Sequence, residues 1–309
     1  MFVIVNYPPL VSEPFVNKGG ESNMAIPSGV PIIDTMIGFP TNFEHYDFIR
    51  KQAKDTQTKE GFQFPVEYIF KGVPKDLYGA EDPIGVTVSE MDKYGVAIGM
   101  IGSDDKLSKQ ALERYPDRFL PSMGVDPNKG MDEIRRMVKN YETYGIRAVT
   151  AFPAGCFPQV PINDKKFYPI YSKCCELDIP IFVCSGVPGP RIKMMCQHVE
   201  LIDEVMYDFP ELTFVTRHGC EPWADLIVKL MLKWPGLHYS TSAFAPKHYP
   251  PAIIKYANTR GADKIIYAGY FPMGLSLERI FHDMPNVGFK DEVWPKFLHD
   301  NAARLLKVG

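Results

Sequence analysis

A (β/α)8 barrel is the fold class that this 309-residue sequence predicts, and three observations predict it. Eight short apolar runs recur along the chain, continuous rather than alternating, as parallel strands covered on both faces require. Segments of helical period lie between them, and strands alternating with helices build a parallel sheet. The length fits one barrel of roughly 250 residues with decorations.

Taken in order, residues 1–29 are rich in Pro, Gly, Ser and Asn and read as an extended N-terminal arm, or as sequence upstream of a start at Met24. The barrel runs over 30–309. Its strands are expected at 31–37 (PIIDTMI), 96–101, 119–125, 147–151, 180–184 (PIFVC), 212–217 (LTFVTR), 237–241 and 264–268. Helices are expected at 83–94, 105–115, 132–145, 164–177, 196–208, 222–234, 249–259 and 290–306. Within 132–145, Ile134, Met137, Val138 and Tyr141 recur at helical spacing and Gly145 can cap the end. Strands one and two are far apart, separated by an insertion of about 38–94 that contains the aromatic-rich FQFPVEYIFKGVP (62–74). A loop of that length carries function or structure of its own. It either lies over the catalytic face as a lid or packs as a decoration on the barrel side.

Composition excludes several functions. With 34 basic against 37 acidic residues and a net charge of -3, the chain lacks the basic excess of a nucleic-acid protein. No run of 18 apolar residues is present, which excludes a transmembrane helix. The start MFVIVNYPPL has neither a basic region nor a small-residue cleavage site, so no secretory signal is expected. The six cysteines are irregularly spaced without CxxC, and Cys174 and Cys175 are adjacent, which suits reduced thiols and a cytoplasmic protein. GxGxxG, the P-loop and GxSxG are absent, so no nucleotide cofactor is expected.

Barrel active sites stand at the C-terminal ends of the strands. Polar residues at those ends are Asp34 after strand one, Cys184 closing strand five, Arg217 and His218 closing strand six ahead of Gly219-Cys220-Glu221, and Tyr270 after strand eight. Asp, Cys, His and Tyr are thereby expected at one mouth. Arg191 ends the stiff loop GVPGPR (186–191), and Lys247 and His248 follow strand seven. The planar guanidinium of an arginine matches a carboxylate, so a small carboxylate substrate is expected, bound by Arg191 and Lys247 with Arg217 and Glu221 nearby. Trp223 and Trp234 read as packing residues.

The stretches HGCEPWADLIVKLMLKWPGLHYSTSAFAPKHYP (218–250), GADKIIYAGYFPMG (261–274), DNAARLLK (300–307), MDKYGV (91–96), INDKKFYPIYSKCCELDIPIFV (162–183) and IIDTMIG (32–38) resemble the amidohydrolase-related family, in the branch typified by aminocarboxymuconate-semialdehyde decarboxylase. The similarity covers about residues 30–309. It implies a metal-binding barrel with decarboxylation, hydration, hydrolysis or C–C cleavage as its chemistry, and a homodimer as its assembly. The family's metal ligands are where this sequence departs. Its Asp/Glu-x-His-x-His after strand one reads Asp34-Thr35-Met36-Ile37-Gly38 here, Cys184 stands at the strand-five histidine, and Tyr270 replaces the strand-eight aspartate. His218 keeps the strand-six histidine.

A hydrolytic zinc site needs about three N, O or S ligands and an open position. A thioether is too soft for that ion, and a tyrosine hydroxyl ionises only near pH ~10. The family metal is therefore expected to be absent, and if a zinc is kept, Asp34, Cys184 and His218 would hold it. Without metal, Cys184 and His218 can form a thiolate–imidazolium pair. His218 is then the central acid/base, Tyr270 an acid or oxyanion donor, and Asp34 an orienting group. Glu221 is expected in the first turn of the following helix. Each residue also has a plainer reading: a buried small thiol for Cys184, a ring filling the vacated cavity for Tyr270, backbone hydrogen bonds for Asp34 and ion pairs for the basic residues. Three functions stay open: a metal-free hydrolase or lyase on a small organic acid, a metal-dependent hydrolase with a rebuilt site, and a non-catalytic ligand-binding protein.

Overall fold

The computed structural model describes residues 27, 29–42, 47–64 and 66–308. The expectations for the N-terminal arm and for a start at Met24 lie largely or wholly outside the described residues. Eight strands follow one another in a single parallel sheet, β1 (Ile32–Asp34), β2 (Val96–Gly102), β3 (Phe119–Val125), β4 (Ala148–Ala151), β5 (Ile181–Cys184), β6 (Phe214–Arg217), β7 (Leu237–Ser240) and β8 (Ile265–Ile266), each paired with the next. All eight fall within the expected runs, give or take one residue. The last and first strands form no ladder. The barrel closes there through the backbone amide and Oγ1 of Thr35, both donating to Tyr267 O, and an isolated parallel bridge between Ile37 and Phe271.

Among the described residues, ten α-helices accompany the strands: α1 (Asp47–Arg50), α2 (Pro83–Lys93), α3 (Lys106–Arg114), α4 (Met131–Tyr144), α5 (Tyr168–Leu177), α6 (Leu201–Asp208), α7 (Ala224–Lys233), α8 (Pro251–Tyr256), α9 (Leu277–Asp283) and α10 (Asn301–Leu306). Gly145 takes the left-handed conformation that ends α4, as its position predicts. The expected helix over 290–306 is shorter, comprising π-helical Lys296–Asp300 and α10, because Pro295 marks its start. Helix α9 was not anticipated. Its Leu277 and Ile280 are buried, but at seven residues it carries too short a periodic signal.

Packing separates the two faces of the sheet. Ile33, Ile98, Met100, Leu120, Ala148, Phe182, Val215 and Ile266 fill the barrel interior together with Ala302, Ala303 and Leu306 of α10. The opposite faces pack on the helices, with Val149, Ile181, Phe214, Leu237 and Ile265 in the outer cluster. Side chains alternate along a strand. Two residues beyond Phe182 and Val215 on the interior face come Cys184 and Arg217, whereas Asp34, next to Ile33, points to the other side.

Candidate active site

A cavity of about 1520 Å³ opens above the strand ends, and Cys184, Arg217, His218, Glu221, Lys247 and Tyr270 all line it. The residues after β1 supply its cover. Phe48, Ile49, Val66, Ile69 and Phe70 line the same cavity, so the insertion lies over the mouth rather than along the barrel side. Its fastenings include Gln52 Nε2 donating to Gly155 O at 2.8 Å, Tyr68 Oη to Gly189 O at 2.5 Å, and Tyr78 Oη to Pro272 O at 3.2 Å. Inside the insertion, the Arg50 guanidinium gathers the carbonyls of Thr58, Lys59, Phe62 and Gln63.

Arg217 forms the floor. Its side chain leaves the end of β6, only 9% exposed, with Nη2 donating to Thr35 O at 3.2 Å and the guanidinium carbon 5.3 Å from the centre of the Phe182 ring. Nε has no hydrogen-bond partner among the described residues. Burial lowers its affinity for a proton, partly offset by Cys184, Tyr270 and Asp34.

His218 follows with φ 66°, and Cys220, Ala243 and Tyr270 also occupy the left-handed region at φ 57°, 72° and 65°. Residues with a Cβ pay for that conformation, and such strain gathers at functional sites. Four of them at the ends of three consecutive strands mark this mouth as a place where side-chain direction is imposed. Gly186 has a packing reason of its own: at φ 94°, a Cβ there would come within 2.8 Å of the Cys220 backbone, so only glycine lets the β5 and β6 loops touch. Burial and the neighbouring Arg217 push the His218 pKa down to about 3, which makes it a neutral imidazole at physiological pH. Its ring meets that of Tyr270 edge to face with centroids 5.2 Å apart, and Phe70 of the cover packs on Tyr270 at 5.5 Å.

Several expectations need correction. Burial works against a Cys184–His218 thiolate–imidazolium pair: it pushes the Cys184 thiol up to about 12 and His218 away from the imidazolium, and the His218 Nδ1 contact is with Ser242 Oγ at 3.2 Å. Asp34 faces the β1–β8 seam and not the mouth. Its Oδ1 accepts from the amides of Met36 and Gly269, both at 2.9 Å, while burial raises its pKa to about 7. It orients the strand ends and makes no hydrogen bond to His218. Arg191 does not line the cavity. Its Nη1 holds Asp55 and Gln57 at 3.0 Å and its guanidinium stacks on Tyr68, so it latches the cover instead of binding substrate. Glu221 stands exposed on the cavity rim, three residues before α7 begins at Ala224. Lys247 is exposed on the same rim. Trp223 and Trp234 pack as expected, Trp223 against His198 and Trp234 with its indole N–H on Asp203.

The rebuilt metal site is not assembled either. Among the described residues, no group of three or more His, Cys, Asp or Glu side chains could hold a metal ion. Met36, beside Tyr270 and His218 in the cavity lining, offers only a thioether. Among the described residues, the side chains at the mouth do not fit the family's divalent ion. Two residues that the sequence did not flag matter here. Ser242 accepts from the His218 backbone N–H at 3.1 Å, and Gln197, buried, ties the loops after β4 and β5 through Ala154 N and Gly186 O. The STS triplet at 240–242 was the available signal for Ser242. Nothing in the spacing distinguishes Gln197.

The amidohydrolase family model matches residues 57–308. Over 141 residues the chain is 26% identical to a 2-keto-4-carboxy-3-hexenedioate hydratase from Sphingobium sp., covering 40% of this chain and 41% of that protein. The match thus spans about two-fifths of the length of that curated relative. Among solved structures, an uncharacterised TIM-barrel protein from Bordetella bronchiseptica superposes with a TM-score of 0.67 at 23% identity, over 89% of this chain and 98% of that one. A 5-carboxyvanillate decarboxylase from Sphingomonas paucimobilis superposes with a TM-score of 0.65 at 12% identity, over 91% and 100%. These two likenesses establish the fold. Among the described residues, no helix is long and apolar enough to cross a membrane.

Proposed function

The chain belongs to the amidohydrolase family, and from that membership we propose that it is a lyase acting on a small organic acid, with the Arg217 guanidinium in the charge-holding role that the family pattern gives to a metal. One observation carries this reading: Arg217 is a buried cation on the floor of a large cavity, and the one side-chain hydrogen bond it makes among the described residues goes to a neutral carbonyl, Thr35 O, not to a carboxylate. A buried charge is costly unless paired, and a substrate carboxylate would supply the partner. A guanidinium presents that carboxylate with a planar fork, which fixes orientation as well as charge.

Decarboxylation, hydration and C–C cleavage of such acids share one demand. Negative charge develops on an oxygen conjugated with the reacting carbon, and a proton is gained or lost nearby. Arg217 supports the first part, because a fixed cation in a site screened from water stabilises developing charge strongly. His218 supports the second, since its neutral ring borders the same cavity. Tyr270 and Phe70 supply the wall that holds the substrate's flat portion. Among these reactions decarboxylation asks least of His218, because an imidazole with a pKa near 3 is a weak base for activating the water that hydration and hydrolysis both need. The named relatives support the same reading at a distance, one being a hydratase and one a decarboxylase.

The experiment is a panel of unsaturated keto acids and hydroxybenzoates incubated with purified protein in chelator, followed for CO2 release and for gain or loss of water by mass. Turnover in chelator that Arg217→Lys reduces would support the proposal. Turnover that appears only on adding manganese or zinc would overturn the metal-free reading, and tight binding without product would turn the protein into a ligand-binding one.

A further inference from the structure

We infer that Ser242 is a positioning residue that fixes the tautomer of His218, so that His218 presents its ring proton to the cavity from Nε2 and enters the reaction as a hydrogen donor. This rests on the reading of His218 as the proton-transfer group and adds which way the proton starts.

The argument is a donor and acceptor count. Ser242 Oγ is fully buried and meets two atoms of one residue, the His218 backbone N–H at 3.1 Å and His218 Nδ1 at 3.2 Å. The backbone N–H can only donate, so it takes one lone pair of Oγ. A hydroxyl has a single proton and two lone pairs. Were Nδ1 protonated, Oγ would accept twice and its own proton would be buried with no acceptor among the described residues. If Oγ donates to Nδ1, every group is satisfied, and satisfied buried polar groups are the rule. Nδ1 is then an acceptor, and the ring proton sits on Nε2. No hydrogen bond from the described protein reaches Nε2 and it is not sealed from the cavity, so its N–H is available to a ligand oxygen.

The same contact explains the backbone. His218 holds φ 66° without the latitude of glycine, and the Ser242 Oγ bond to its amide fixes that turn. Ser242 itself sits two residues past the end of β7, ahead of the bend at Ala243, φ 72°. One serine thus sets both the direction and the protonation pattern of the histidine. A neutral imidazole held as a donor polarises a developing oxyanion without requiring a protonated ring, which suits a histidine next to a permanent cation.

Long-range ¹⁵N–¹H correlation spectra of histidine-labelled protein, without substrate at pH 7, test this directly, with His218→Gln identifying the resonance. The expected wild-type spectrum shows a protonated Nε2 and a bare Nδ1. Ser242→Ala is expected to give mixed tautomers and a kcat lowered about tenfold with KM little changed, equivalent to one lost orienting hydrogen bond. Ser242→Thr keeps the hydroxyl and is expected to restore both. A proton on Nδ1 in the wild type, or an unchanged tautomer in a folded Ser242→Ala, would overturn the inference. The wild-type spectrum decides even if Ser242→Ala fails to fold. Because it is recorded on the resting protein, it stands apart from whether any acid is turned over.

Discussion

His218 and Tyr270 meet edge to face with ring planes at 69°, each on a backbone twisted into the left-handed region. They come from the ends of β6 and β8, and Arg217 lies below them with its charge weakly compensated. The pair forms a polar-edged wall around a cation at the mouth of the barrel.

Arg217→Met should separate stability from function. Removing a buried charge that lacks a full partner is expected to stabilise the fold by about 1–4 kcal/mol, while abolishing carboxylate binding. Thermal unfolding of the two proteins checks the first half. A lower melting midpoint in the variant would mean that Arg217 is already well paired in the resting protein.

Cys184 should behave as a packing residue. With its thiol pushed up to about 12 by burial, little thiolate exists at pH 8, so iodoacetamide should leave it unmodified in the native protein. Cys184→Ser is expected to retain most turnover. Peptide mass mapping that finds Cys184 alkylated first among the six cysteines would restore it as a nucleophile.

Between about pH 6 and 5, stability should respond chiefly to three buried groups. His218 and His238 both have pKa values near 3 because of burial, against about 6.5 in the unfolded chain, while burial raises Asp34 to about 7. Between about pH 6 and 5, the unfolded chain therefore binds two protons on the histidines and the folded chain one on Asp34. One excess proton on the unfolded side makes stability fall with acidification by about 1.4 kcal/mol per pH unit. His238→Gln removes one histidine and should nearly flatten the slope, as urea titrations at pH 6 and pH 5 would show. An unchanged slope would mean that His238 is protonated in the fold.

The latch of the cover should be separable from the chemistry. Arg191→Ala removes an ion pair with Asp55 and two ring contacts, with Phe62 and Tyr68, all partly exposed. Its cost in global stability is expected to be within about 1 kcal/mol. Limited proteolysis should nonetheless cut faster between residues 55 and 75, with KM rising more than kcat falls. Equal cutting rates would show that the remaining ties, the Gln52, Tyr68 and Tyr78 bonds and the Gly72–Leu275 bridge among them, hold the cover without Arg191.

The barrel was legible because its strands are buried on both faces, which writes continuous apolar runs such as IFVC and FVTR into the chain. The mouth was only half legible. Position at a strand end nominated Cys184, Arg217, His218 and Tyr270, and all four line one cavity. Direction within a strand was the weaker inference. Asp34 ends its strand too, yet it is one residue out of phase with Ile33 and turns into the seam. Arg191 shows a different gap: its partner Asp55 lies 136 residues away in the insertion, and no spacing rule pairs residues across such a distance. Arg217 was placed beside the substrate behind Arg191 and Lys247, because sequence does not report which cations lose their counter-ions on folding.

Calorimetric titration of benzoate into wild type and Arg217→Met, both in chelator, tests the central claim most directly. Saturable binding to the wild type that the folded variant lacks is the predicted result. Equal affinity in both proteins, or binding that requires an added divalent metal, would contradict it.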